Sequence, residues 1–120
     1  MHYNGELRTI LKYDNDLDLL HIYNKLLNIN NKIYKKYQFE LKDIRTVNPK
    51  YRGYETFCIK SDYEKKNIKL QIKINYFKED KCLLDNIKVR LSGKNISSEE
   101  LIDISNIINN VFKGEVENDD

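Results

Sequence analysis

Alanine and tryptophan are absent from the 120 residues, and proline occurs once, at Pro49. There are two cysteines, two histidines and four glycines. Each scarcity excludes something. Cys58, Cys82, His2 and His21 stand too far apart for any zinc-ligand spacing, so no metal is expected. The cysteines fit two free thiols of a reducing compartment, which makes a cytoplasmic location the expectation. The scattered glycines form no phosphate loop and no nucleophile elbow. No apolar run approaches the roughly 18 residues of a membrane span. The opening Met1-His2-Tyr3-Asn4-Gly5-Glu6 lacks the basic-then-apolar pattern of a secretory signal.

Hydrophobic residues make up 40% of the chain and charged residues 33%, the balance of a wet globular domain. A chain of this length is expected to fold as one domain over residues 1–114, followed by an acidic, disordered tail at 115–120. The formal net charge of +2 does not by itself imply nucleic acid. Asn, Lys, Ile and Tyr dominate, and all four have AT-rich codons. The bias points to a low-GC bacterium, a mobile element such as a phage, or an AT-rich virus. Raw lysine abundance therefore carries no argument, and lysine placement has to carry it instead.

Alternation predicts a first strand over 6–13, where Leu7, Thr9, Leu11 and Tyr13 take turns with Glu6, Arg8 and Lys12. Asp14, Asn15 and Asp16 offer helix caps, and Asp18 adds negative charge to a first turn. A long helix is expected over 16–37, with Leu19, Ile22, Leu26, Ile29 and Ile33 on one stripe, widened by Leu20, Tyr23, Leu27 and Tyr34. Residues 39–47 read equally as a short strand or an irregular return, and Asn48-Pro49 opens a loop to Gly53. Three strands follow, over 54–61, 68–77 and 86–91, with short polar links that imply an antiparallel meander. Ser97-Ser98-Glu99-Glu100 matches a capping box, flanked by Ile96 and Leu101 at staple positions. The last helix carries Leu101, Ile104, Ile108 and Val111 on one face, and Gly114 stands at a natural stop. The fold class is thus α+β: an antiparallel sheet of about four strands, ordered β-α-(β)-β-β-β-α. A long N-terminal and a shorter C-terminal helix pack on one face.

Chemical motifs fail on inspection. Asp14 to Asp18 resembles the start of a calcium loop, but Leu19 stands where glycine is needed and Lys25 where glutamate is. The acid pairs Glu79-Asp80 and Glu99-Glu100 sit at a turn and a helix start, where acids have structural reasons to be. No catalytic residue, metal or cofactor is expected, and the reading leans away from an enzyme.

What remains is one face of the meander. If Ile68, Leu70, Ile72, Ile74 and Tyr76 point inward, parity sends Phe57, Ile59, Ile87, Val89 and Leu91 inward too. The opposite face then carries Lys60, Lys69, Lys73, Lys88 and Arg90, with Thr56, Cys58, Gln71 and Asn75 among them. Phe77 projects near its edge, and Leu84 joins it if the strand extends that far back. No acid is expected among these strand cores. Solvation alone accounts for such a face. A recognition surface is the functional alternative, since five clustered cations steer anionic partners. The favoured function is a non-enzymatic accessory, regulator or inhibitor that binds an acidic-surfaced protein, as a monomer or homodimer and without a membrane. Nucleic acid is the second reading. It is weakened by the lack of central aromatics and by lysine outnumbering arginine. A small-ligand binder or enzyme with a pocket hidden from sequence is the third.

Overall fold

The computed structural model describes residues 2–48, 50–51, 54–78 and 82–113. The elements are β1 (His2–Asp16), α1 (Leu19–Tyr37), β2 (Glu40–Val47), β3 (Lys50–Tyr51), β4 (Tyr54–Lys65), β5 (Ile68–Lys78), β6 (Cys82–Ser97) and α2 (Ser98–Phe112). The strands lie in the order β1-β6-β5-β4-β2, every neighbour antiparallel, and β3 pairs the start of β4. The ambiguous stretch after the first helix is thus an edge strand, the bracketed strand of the expected order, and the main path of the sheet has five strands. The tail at 115–120, Gly114, Gly53, Pro49 and the Glu79-Asp80 pair lie outside the described residues.

Both helices cover one face of the sheet. Ile22, Leu26, Ile29 and Ile33 of α1 and Leu101, Ile104 and Ile108 of α2 are buried in one cluster with Ile59, Leu70, Ile72, Ile74, Ile87, Val89 and Leu91 of the sheet. This apolar burial holds the layers together, at about 1.5–3 kcal/mol for each fully buried side chain. Polar contacts fix how the layers sit. Tyr63 Oη donates to Asn30 Oδ1 and joins β4 to α1. Tyr13 Oη donates to Asn109 Oδ1 and joins β1 to α2. Lys25 Nζ donates to the Val111 carbonyl at 2.9 Å, tying the two helices together.

The helix starts differ in how far they follow the sequence signals. Ser97 caps α2 by accepting from the Glu100 amide at 3.2 Å. The Glu100 carboxylate does not return to Ser97. It accepts from Lys65 Nζ at 2.9 Å, because β4 reaches far enough to bring that ammonium over. At α1 the cap is Asp18, whose side chain accepts from the His21 amide at 2.9 Å. Asp14, Asn15 and Asp16 belong to β1 instead, since that strand runs on beyond Tyr13.

All three meander strands are longer than the alternation implied. Tyr63 continues the buried set of β4, and Leu84 and Ile96 extend that of β6. Leu84 is therefore in the core and not on the outer face. A register shift between Asn75 and Tyr76 brings Leu84 opposite Tyr76 and leaves Leu83 opposite Phe77. The β4–β5 link shrinks to Lys66 and Asn67, with Lys66 in the left-handed region at φ 51°.

Candidate functional site: the outer face of the sheet

The face away from the helices is built in rungs, because directly paired residues of antiparallel neighbours point the same way. Register assigns each rung. One holds Glu6, Ser92, Lys69, Glu64 and Glu40, read from β1 through β6, β5 and β4 to β2. The next holds Arg8, Arg90, Gln71, Asp62 and Asp43. The third holds Ile10, Lys88, Lys73, Lys60 and Arg45. The fourth holds Lys12, Asn86, Asn75, Cys58 and Val47. Phe77 lies beyond, opposite Thr56 and Leu83.

The third rung is the unusual one. Lys88, Lys73, Lys60 and Arg45 stand side by side on four adjacent strands. At about 4.8 Å between strands they draw a line of cations about 14 Å long. Directly opposed like charges destabilise a sheet by roughly 0.2–1 kcal/mol per pair. Arg45 offsets its share by donating to Asp62 Oδ2 at 2.8 Å and to Asp43 Oδ2. Among the described residues, no carboxylate forms an ion pair with Lys60, Lys73 or Lys88. Lys73, at the centre, feels this most. Partial burial lowers its ammonium pKa below the usual lysine value, and the charges of Lys60, Arg90 and Lys88 lower it further against an opposing pull from Cys58. Cys58, in the adjacent fourth rung, is a buried free thiol. Burial pushes its pKa up, and Lys60, Lys73, Lys88 and Arg45 pull against that rise.

Of the residues expected here, Lys60, Lys73 and Lys88 come together in one rung. Arg90 joins them from the adjacent rung, where it faces Arg8 and lies 3.8 Å from Glu6. Lys69 is one rung further still and opposes Glu64, and Phe77 sits away from the row on the other side. The face also holds acids that the shorter strands left out. Asp62 belongs to β4, where it accepts from Gln71 Nε2 at 2.7 Å. Burial alone would raise its pKa, but the hydrogen bonds from Gln71 and Arg45 and the nearby guanidiniums of Arg45 and Arg90 hold it below the usual carboxylate range. The basic surface is therefore a row bordered by a paired, mixed-charge zone, not a uniform field. Arg45 and Arg8 were missed. Arg45 lay in the stretch that read as strand or irregular return, and Arg8 lay on a strand whose place beside the meander is not given by alternation.

Beside the row a depression of about 160 Å³ is lined by Arg8, Ile10, Gln71, Lys73, Lys88 and Arg90. Four cations and one half-exposed isoleucine can take an anionic group carrying some apolar surface. No group of three or more metal-ligating side chains occurs among the described residues, and none of their helices is long and apolar enough to cross a membrane. His21 is exposed on α1 beside Asp18, and His2 pairs across to Ser97 in the sheet. Comparison with known proteins gives no match to any family model, curated protein or solved structure.

Proposed function

We propose that this domain is a non-enzymatic interaction module that holds an acidic segment of another protein along the row Lys88, Lys73, Lys60 and Arg45. The observation that carries the reading is the adjacency of three lysines with no carboxylate paired to them. The repulsion costs little against a typical folding stability of about 5–15 kcal/mol, so a fold can carry it. A ligand that supplies carboxylates along the row removes the repulsion and gains charge-assisted hydrogen bonds. Ile10, at the β1 end, adds an apolar contact that suits a polypeptide. A nucleic acid fits less well, because a phosphate backbone wider than the single row would reach Asp62 and Asp43 in the adjacent rung. Bases would find no aromatic platform at the rung either. The proposal places the protein in the cytoplasm, where the Cys58 thiol stays reduced.

The test is calorimetric titration with an Asp/Glu-rich peptide and with single- and double-stranded oligonucleotides, at low and moderate salt. The wild type is compared with a Lys60→Glu, Lys73→Glu, Lys88→Glu variant. Expected are peptide binding that weakens as salt rises and its loss in the variant, which should keep the wild-type circular dichroism. Tighter binding of oligonucleotide than of peptide would transfer the row to nucleic acid. Peptide binding retained by the variant would remove the row from function.

A further inference from the structure

The strand β2 stands at one end of the described strand order. Among the described residues, β2 pairs β4 on one side only and ends the sheet, and such an edge can accept another strand. Nearly all of its side chains are exposed. Its charges are set against β4 in an odd way. Asp43 directly opposes Asp62, and Arg45 directly opposes Lys60. Both pairings are like with like, and Arg45 offsets them by donating to Asp62 and to Asp43 of its own strand.

A two-fold axis perpendicular to the sheet at this edge would pair β2 with its symmetry mate antiparallel and keep the helices of both copies on one side. Opposed residues must then share a face, so the axis passes through a residue. Centred on Asp43 or Arg45, it would set two acids or two guanidiniums against each other. Centred on Ile44, it sets Asp43 against Arg45 of the second copy, twice, and Ile44 against Ile44. The charge order that fails against β4 is complementary to itself.

The helix beside this edge points the same way. Tyr23 of α1 bonds Thr46 of β2 at 2.9 Å, which fixes that flank of the helix toward the edge. Leu27 lies one turn from Tyr23, and Leu20, Leu27 and Tyr34 recur at intervals of seven, each more than half exposed. Ile44 is 40% exposed on the same side of the sheet. We propose that two copies join β2 to β2 about Ile44 into one continuous sheet, with Leu27 and Tyr34 of each bordering the seam.

Sedimentation equilibrium from micromolar to millimolar concentration tests this. The wild type should move from one-chain to two-chain mass. Asp43→Arg should return it to one-chain mass, and Ile44→Lys should do the same. The double exchange Asp43→Arg, Arg45→Asp should restore the two-chain mass. That exchange also sets unlike charges against Asp62 and Lys60, so it is expected to fold at least as well as the wild type by thermal melting. A wild type that stays at one-chain mass at millimolar concentration would overturn the proposal. So would an Asp43→Arg protein that still doubles, or a double exchange that folds and does not. Lys60→Glu, Lys73→Glu, Lys88→Glu should leave the doubling intact, so this result and the peptide titration fail independently.

Discussion

Gly93 shows how much a single position can hold. Its φ of +137° lies where L side chains are rarely found, and a Cβ there would stand 2.4 Å from the Asn67 carbonyl oxygen. Gly93 pairs with both Gly5 on β1 and Ile68 on β5, so three strands close up at this point. Gly93→Ala should lower unfolding free energy by about 2 kcal/mol or more, from backbone strain and overlap together. Gly5→Ala is the control. Gly5 also has positive φ but nothing within 4 Å of its Cβ position, so only the strain remains and the cost should be smaller. Urea midpoints of the two variants, at equal slope, read the difference directly.

At the scale of elements, legibility followed periodicity. The inward set of the meander was readable because slipping any strand by one residue would bury Lys60, Lys88 or Arg90. The α2 start was readable because Ser97 and Glu100 form a local signal that needs no tertiary partner. Strand ends were not, since Asp62, Glu64 and Lys65 look like turn residues until Tyr63 is seen to be buried. The type of β2 was hidden for a related reason. An edge strand with almost every residue exposed has no buried face to impose alternation, and Lys42 bulges out of register between Leu41 and Asp43. Three of the four cations in the row were legible without it. Lys60, Lys73 and Lys88 share a face by parity alone, whereas Arg45 becomes their neighbour only once β2 is paired.

For the molecule as a whole, three tyrosines tie stability to alkaline pH. Burial pushes the Tyr13 phenol up to about 12. Burial also raises Tyr37, helped by its hydrogen bond to Asp103, and raises Tyr63 in the core. The sign follows from proton counting. Above about pH 10 the unfolded chain releases these protons while the native state keeps them, so stability falls as pH rises. It is fully present below pH 10 and is lost progressively through about pH 12 and beyond. Thermal melting from pH 8 to pH 12 should show a plateau and then a steep decline. Tyr63→Phe, which removes one such group from the core, should show a shallower one.

The buried thiol one rung from the cation row has a consequence of its own. Thiolate is the reactive form of cysteine, and its share at Cys58 is set by burial working against four positive charges. Any ligand that brings carboxylates to Lys60, Lys73 and Lys88 weakens the charges that favour thiolate and leaves burial to dominate. Alkylation of Cys58, read in a chain whose Cys82 is replaced by serine, should therefore slow when the row is occupied. Slower alkylation would report an occupied row from a thiol one rung away from its charges.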